Sequence, residues 1–153
     1  MITLHHFWDS FCSFKVRMAL AEKGLKWDGE HVDLMRFENL RPEYLAINPN
    51  GLVPTLIDDG DTIFESSIIN EYLEERYPQN PVCPDNPAAR ARMRYWVKHE
   101  EDELFIAVRP ASLNLMMKQV FDRYSDNELD AFLVHHPRPH LIPRLKKMFR
   151  APF

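Results

Sequence analysis

The sequence has little of what marks secreted, disulfide-linked and membrane-spanning proteins. It contains only two cysteines, Cys12 and Cys83, far apart and in different contexts, so we expect reduced thiols rather than a disulfide framework. No apolar run approaches the length of a membrane span, and residues 1–5 lack the basic and apolar regions of a secretion signal. These absences predict a cytoplasmic location and no membrane partner.

Charge and histidine spacing argue against two further classes of ligand. The formal net charge is -4, and no basic stripe with interleaved aromatic residues is visible, so we expect no nucleic-acid partner. His5 and His6 would point to opposite faces of a strand, and the adjacent His135 and His136 are not one helical turn apart. Neither pair is therefore spaced to bind a metal ion.

The first half of the chain alternates between strand and helix signals. Residues 2–7 have the β-branched and aromatic content of a strand. After Asp9-Ser10, residues 14–24 are typical of a helix that ends at a Lys-Gly pair, and residues 27–34 are typical of a second strand. Two short apolar runs then flank an Asp-Gly turn at residues 58–61, which predicts a β-hairpin. A helix from Ser66 or Ser67 to Tyr77 follows.

The second half has a different character. Residues 79–87 are proline-rich and lack periodicity, so they are typical of a linker, and the chain after them reads as helical. Helices are expected over residues 88–108 and around 113–121, and Ser125 with Glu128 predicts a capping box. The last residues, with Pro137, Pro139 and Pro143 before a basic tail, show no clear element.

Three segments carry a resemblance to a known family. Residues 10–24, 48–56 and 65–73 resemble, in order and in spacing, the glutathione transferase superfamily, and the helical part is similar to bacterial members related to the glutathione-dependent β-aryl etherases. The resemblance implies a thioredoxin-like α/β domain over residues 1–78, a linker over 79–87 and an all-α domain over 88–153. Relatives usually continue for several more helices, so we expect the helical domain to be truncated.

The resemblance implies that Ser10 is the catalytic hydroxyl. A free thiol has a pKa near 8.5, so an enzyme that uses the glutathione thiol must favour its anion. Ser10 stands where the first strand gives way to the first helix, and its hydroxyl could donate to a sulfur over that helix N-terminus. On the residues alone, a helix cap is the favoured interpretation of Ser10, and only the resemblance favours the catalytic role. Ser13 competes for both roles, although by resemblance it lies one turn too far along.

Cys12 offers a different mechanism. A thiol near a helix N-terminus can have a depressed pKa, and it would then form a mixed disulfide with glutathione. Relatives that work in this way usually carry the cysteine at the position of Ser10, and zeta-like classes have a cysteine next to the catalytic serine. We therefore expect Cys12 to be structural or auxiliary.

The resemblance also implies residues that bind glutathione. Val53-Pro54 matches the cis-proline turn that presents backbone groups to the cysteinyl part, and Glu65-Ser66 matches the pair that binds the γ-glutamyl end. From the residues alone, Pro54 would read as an ordinary trans proline at the start of a strand, and Glu65 and Ser66 as a helix start.

The glycyl end of glutathione has weaker candidates in this chain. Relatives often carry Lys, Gln or His near Asn39, and Gln or Lys where this chain has Leu52. Asn39 and Arg41 are the possible substitutes, and an exposed, solvated Arg41 is an equal alternative.

Three functions remain open on these grounds. The first is a detoxification-type glutathione transferase, acting as a homodimer on a hydrophobic electrophile by conjugation, dehalogenation or ether cleavage. The second is a thiol transferase that works through Cys12. The third is a non-catalytic interaction module, because this fold also serves that purpose.

Overall fold

A computed structural model describes residues 1–150 of the chain, without the side chains at positions 113, 116, 117, 120 and 148–150. Its contacts group into two compact units, one formed by Met1–Leu34 with Leu52–Tyr95 and the other by Met35–Gly51 with the residues from Trp96 onward. Residues 151–153 of the expected helical domain lie outside the described residues. The domain boundaries read from the linker stay a prediction.

The first unit contains a four-stranded sheet. Its strands are β1 (Ile2–His6), β2 (Trp27–His31), β3 (Thr55–Asp58) and β4 (Asp61–Phe64), in the order β2-β1-β3-β4. β1 pairs in parallel with β2 and antiparallel with β3, which forms a hairpin with β4. The predicted strand-helix-strand unit and hairpin are confirmed, and with them the thioredoxin-like arrangement.

The helices follow one another along the chain. In chain order they are α1 (Phe11–Glu22), α2 (Pro42–Leu45), α3 (Ser66–Arg76), α4 (Pro87–His99), α5 (Phe105–Phe121), α6 (Asp126–Leu133) and α7 (Ile142–Arg150). Short 3-10 turns lie at Leu34–Arg36, Glu38–Leu40 and Pro139–Leu141, and a π-helical stretch at Glu100–Leu104. Among the helices so described, none combines the length and the apolar character that crossing a membrane requires.

The core of the first unit lies between the sheet and two helices. α1 and α3 pack against each other and against β1 and β3 through one cluster of buried apolar side chains: Ile2, Leu4, Val16, Ala19, Leu20, Leu56, Ile69 and Leu73. Since this cluster fixes the faces of α1 and α3, it also fixes where both helices begin.

Local turn chemistry sets the ends of these elements. The predicted Asp-Gly turn is present, and Asp59 and Gly60 both have positive φ, at 49° and 97°, as a two-residue hairpin turn of the primed type requires. α1 ends as expected, with Lys23 at its C-cap and Gly24 at φ 65°. β2 is shorter than predicted: it ends at His31, and a 3-10 turn begins at Leu34.

The second unit has its own apolar cluster. Phe37 and Leu40 pack with Phe121, Leu129 and Leu133, so the short segment before residue 51 shares a core with the later helices. The predicted capping box at the start of α6 is confirmed, because the Glu128 backbone N–H donates to the Ser125 hydroxyl while the Ser125 N–H donates to the Glu128 carboxylate.

Two expectations about the second half were wrong. α5 runs through Pro110 where a helix end was expected, and the Ser112 hydroxyl donates to the carbonyl oxygens of Val108 and Arg109 in the same turn. The proline-rich end was read as having no element, yet it contains α7. Pro143 is the second residue of that helix, where its missing N–H removes no intrahelical bond.

A buried carboxylate ties α3 to the sheet. Asp58 is fully buried at the end of β3, and its Oδ2 accepts hydrogen bonds from the hydroxyls of Tyr77 at 2.6 Å and Tyr72 at 3.0 Å. Burial in the first place, and then the bond to Asp58, raise the pKa of Tyr77 to about 12. Tyr77 is therefore a neutral donor at every ordinary pH.

We expect Tyr77→Phe to lower the free energy of unfolding by about 1.5 to 3 kcal/mol, because it removes a hydrogen bond to a charged, desolvated carboxylate. Urea unfolding followed by tryptophan fluorescence measures this. Tyr95→Phe, at an exposed tyrosine of the same unit, is the control, with an expected change within about 0.5 kcal/mol. Equal effects of the two substitutions would contradict the role assigned to Asp58.

Candidate functional site

The strand register brings three connections to one edge of the sheet. His5 in β1 pairs with Thr55 in β3, and Thr55 pairs with Phe64 in β4. The connection that leaves β1, the residues that enter β3 and the residues that leave β4 therefore lie at the same edge. These are the positions of Ser10, of Val53-Pro54 and of Glu65-Ser66.

Two helices begin at this edge. α1 starts directly after Ser10, and α3 starts directly after Glu65. The first N–H groups of a helix have no intrahelical partner and carry partial positive charge, so the two starts favour an anionic ligand. The edge thus has the chemistry of an anion-binding site before any individual side chain is considered.

Ser10 caps α1 and keeps a hydrogen to donate. Its side-chain oxygen accepts a bond from the Ser13 backbone N–H at 3.2 Å, so the capping interpretation is confirmed. That bond uses a lone pair of the hydroxyl and does not use its hydrogen. Ser10 is half-buried rather than enclosed. Capping α1 and donating to a ligand are therefore compatible roles for the same side chain.

Ser13 has a different position from Ser10. Its side chain is fully buried, and its hydroxyl accepts a bond from the Phe7 backbone N–H at 3.4 Å. A buried hydroxyl that holds the connection after β1 is out of reach of a ligand at the surface. Of the two serines that competed in the sequence, only Ser10 has the exposure that a ligand contact needs.

The two cysteines lie in separate settings. Cys12 is the second residue of α1 and is half-buried, and both cysteines are reduced. Burial first, and then the nearby Glu74 carboxylate, raise the pKa of the Cys83 thiol. Cys83 therefore stays protonated at neutral pH, which agrees with the absence of any role for it in the sequence reading.

The residues that enter β3 have the geometry that the resemblance implied. The Val53-Pro54 peptide bond is cis, so that expectation is confirmed. Pro54 is buried and Val53 is half-buried, directly before the first residue of β3. The backbone of Val53 thus belongs to the same edge as the start of α1.

Glu65 has a strained backbone that the sequence did not reveal. Its φ of 66° and ψ of 120° are outside the regions that side-chain-bearing residues ordinarily occupy, and such conformations cost about 1 to 3 kcal/mol. Strain of this kind persists where the surroundings impose it and is frequent at functional sites. Ser66, the first residue of α3, is buried beside it.

The three candidates for the glycyl end do not share one setting. Asn39 and Arg41 belong to the second unit. The Asn39 side-chain amide donates to the Gly51 carbonyl oxygen at 2.8 Å, and a guanidinium nitrogen of Arg41 lies 3.3 Å from a carboxylate oxygen of Glu38. Leu52 is an exposed residue of the first unit. Asn39 therefore holds the turn in which Gly51 has a φ of 61°.

Sequence reasoning missed Arg17, which it treated as one more helix former. Its guanidinium donates to the carbonyl oxygens of Phe7 at 3.2 Å and of Trp8 at 2.9 Å, in the connection that leads to Ser10. The available signal was the seven-residue spacing between Ser10 and Arg17, because residues seven apart lie on the same face of a helix, two turns from each other.

Among the described side chains, no group of three His, Cys, Asp or Glu residues is placed to hold a metal ion.

The part of the chain that contains these site residues matches a known protein family. The family described as "Glutathione S-transferase, N-terminal domain" matches residues 4–81, just over half of the chain. The chain is 46% identical over 83 residues to a zeta-class glutathione S-transferase of Euphorbia esula, covering 54% of this chain and 37% of that protein. It is also 46% identical over 94 residues to the maleylacetoacetate isomerase of Pseudomonas aeruginosa, covering 60% and 44%.

A third relative extends into the helical part. Protein LigF of Sphingobium sp. strain SYK-6 is 34% identical over 131 residues, covering 84% of this chain and 51% of that protein. The crystal structure of this β-etherase superposes with a TM-score of 0.91 at 31% identity, over 99% of this chain and 63% of that one. The chain thus spans about half or less of the length of the curated relatives that it matches.

The strain at Glu65 predicts an unusual stability effect. We expect Glu65→Gly to raise the free energy of unfolding by about 1 kcal/mol, because glycine adopts positive φ without a steric penalty. Glu75→Gly, at an exposed helical position of α3, should lower it by about as much. Thermal unfolding of both variants beside the unsubstituted protein measures the pair, and a destabilised Glu65→Gly would contradict the strain.

Proposed function

Because this chain belongs to the glutathione S-transferase family, we propose that it activates the glutathione thiol through Ser10 for attack on an apolar electrophile. The observation that carries the proposal is the place of the Ser10 hydroxyl. It lies at the N-terminus of α1 with a hydrogen to donate, on the sheet edge that also holds Val53-Pro54 and Glu65-Ser66.

The energetics of thiol activation match these groups. Lowering the thiol pKa by two requires about 2.7 kcal/mol of differential stabilisation of the thiolate. A helix N-terminus contributes about 0.3 to 2 kcal/mol, and a hydrogen bond to a charged group about 1.5 to 3 kcal/mol. The start of α1 and the Ser10 hydroxyl together therefore suffice without a metal ion or a second base.

The rest of the tripeptide has matching groups along the same edge. The backbone of Val53 would pair with the cysteinyl part as an added strand. The γ-glutamyl carboxylate would bind at the start of α3 with the Ser66 hydroxyl, and the Glu65 carboxylate would pair with the γ-glutamyl ammonium. Leu52, directly before Val53 in the same unit, is the candidate for the glycyl end.

The surface beside Ser10 suits an aromatic electrophile. Trp8 and Phe11 flank Ser10 in sequence and are exposed by 62% and 53%. Exposed aromatic rings next to a reactive group favour a planar, apolar partner. We place the protein in the cytoplasm as a homodimer, on the family resemblance and on the sequence composition.

Among the reactions open to a thiolate we propose cleavage of an aryl ether, and the extent of one similarity supports this choice. Similarity to the β-etherase LigF extends over 84% of the chain. In such a step the thiolate attacks the carbon that bears the aryloxy group, a C–S bond forms, and the C–O bond breaks. The aryloxide leaves with the bonding electrons. Conjugation by displacement of a halide follows the same course with another leaving group.

The serine mechanism predicts a defined loss in Ser10→Ala. We expect the thiol pKa of bound glutathione, read from thiolate absorbance against pH, to rise by about 1 to 2, and kcat/KM to fall by about 10- to 100-fold, because one hydrogen bond to the anion is lost. Rates are measured with an aryl halide and with a β-aryl ether that releases a fluorescent phenol.

Three controls separate activation from folding and from the cysteine mechanism. Ser10→Thr keeps cap and hydrogen and should retain most activity, whereas Ser10→Asp keeps a capping acceptor without the hydroxyl donor and should not. Cys12→Ser should remain active. A glutathione adduct on Cys12 by mass spectrometry, with inactive Cys12→Ser and active Ser10→Ala, would replace this proposal by the thiol transferase.

Binding of the γ-glutamyl end predicts a charge effect at Glu65. We expect Glu65→Gln to weaken glutathione binding by about tenfold, because a charge-assisted bond to the ligand ammonium becomes a neutral one. Isothermal titration calorimetry measures this, with Glu75→Gln on the exposed face of α3 as the control. If the unsubstituted protein shows no saturable binding, the non-catalytic interaction module becomes the better assignment.

A further inference from the structure

The connection between β1 and α1 is short and carries Ser10 at its end. It runs through Phe7, Trp8 and Asp9, and the Ser10 backbone N–H donates to the Phe7 carbonyl oxygen at 3.2 Å. Trp8 and Asp9 are exposed, so packing alone does not hold them. The direction of the Ser10 hydroxyl therefore depends on polar contacts to this connection.

Arg17 supplies contacts to two successive carbonyl groups of that connection. One guanidinium nitrogen donates to the Phe7 oxygen at 3.2 Å and the other to the Trp8 oxygen at 2.9 Å. The guanidinium carbon also lies 4.6 Å from the centre of the Trp8 ring, within cation–π range. Backbone and side chain of the same exposed residue are thus held by one side chain.

Arg17 itself is held by a rigid element and by a neutral histidine. It lies on α1 between Val16 and Leu20, whose side chains are fully buried in the core. Burial first, and then the charge of Arg17, lower the pKa of His6 to about 4, so His6 is neutral at pH 7. Because a guanidinium can only donate, the His6 Nδ1 accepts from Arg17 at 3.3 Å.

We infer that Arg17 is a positioning residue, which locks the connection from Phe7 to Ser10 onto α1 and so directs the Ser10 hydroxyl toward the thiol of bound glutathione. The planar guanidinium donates to the two carbonyl groups from two nitrogens in a fixed fork, whereas a lysine ammonium donates from one nitrogen without that fixed geometry. This inference rests on the proposed function of Ser10, and it assigns Arg17 no contact with glutathione.

Two variants separate the geometry of Arg17 from its charge. Arg17→Lys keeps the charge and loses the planar fork, whereas Arg17→Met loses both. Arg92→Lys and Arg92→Met, on the exposed surface of α4, are the matched controls. If Arg17 acts through position, both Arg17 variants should be impaired, whereas an effect of charge alone would leave Arg17→Lys unchanged.

The first measurement needs no ligand. We expect the Ser10 and Ser13 backbone amides, which bond to the Phe7 carbonyl and the Ser10 hydroxyl, to exchange at least about tenfold faster in Arg17→Lys and Arg17→Met than in the Arg92 controls. Thermal unfolding of each variant identifies a global loss of stability, which would speed exchange throughout the core instead. Unchanged exchange at these two amides in both Arg17 variants overturns the inference.

The second measurement is a double-mutant cycle with Ser10→Ala. We expect each Arg17 variant to raise the thiol pKa of bound glutathione and to lower kcat/KM about tenfold, and to have almost no further effect once Ser10 is alanine. Equal losses in both backgrounds would mean that Arg17 acts independently of Ser10, and would overturn the inference.

The failure of each proposal has its own signature. An unsubstituted complex whose thiol titrates like free glutathione overturns the proposed function, whatever the Arg17 variants do. A depressed pKa that is the same in Arg17→Lys, Arg17→Met and the Arg92 controls overturns the role of Arg17 alone.

Discussion

The pairing of β1 with β3 is the constraint on which the rest of the first unit depends. The antiparallel ladder from Ile2 and Asp58 to His5 and Thr55 places the end of one strand beside the start of the other, and β4 extends the alignment. A shift of this register by one residue would turn either Leu4 or Leu56 out of the core. Core packing and the assembly of the site edge are therefore one structural requirement.

The groups at this edge serve the fold and the site together. Ser10 accepts the bond that starts α1, and its remaining hydrogen is the one that the proposed chemistry needs. The starts of α1 and α3 carry the partial positive charge of a helix N-terminus, which makes them suited to an anion. Glu65, by contrast, costs the fold stability for the sake of the site, because its backbone is strained where a glycine would be relaxed.

Much of the first unit could be predicted because its signals are local. The hairpin follows from an Asp-Gly pair between apolar runs, and the end of α1 from a Lys-Gly pair. The second half was harder to predict, because several of its prolines lie inside helices. Pro143 lies in the first turn of α7, where it is tolerated, and Pro110 lies inside α5. Composition alone does not distinguish these positions from a helix end.

What the sequence determined by itself is the set of chemical groups and their order: a serine at the first helix start, a proline before the third strand, and a Glu-Ser pair at another helix start. Local propensity and turn chemistry act over a few residues, so these features are legible along the chain. Only the tertiary structure decided which groups share an edge, that Ser10 is accessible while Ser13 is enclosed, and that Arg17 reaches back to the Phe7 and Trp8 carbonyls. Burial and long-range hydrogen bonding depend on how the strands and helices pack, and that information is not contained in any short segment.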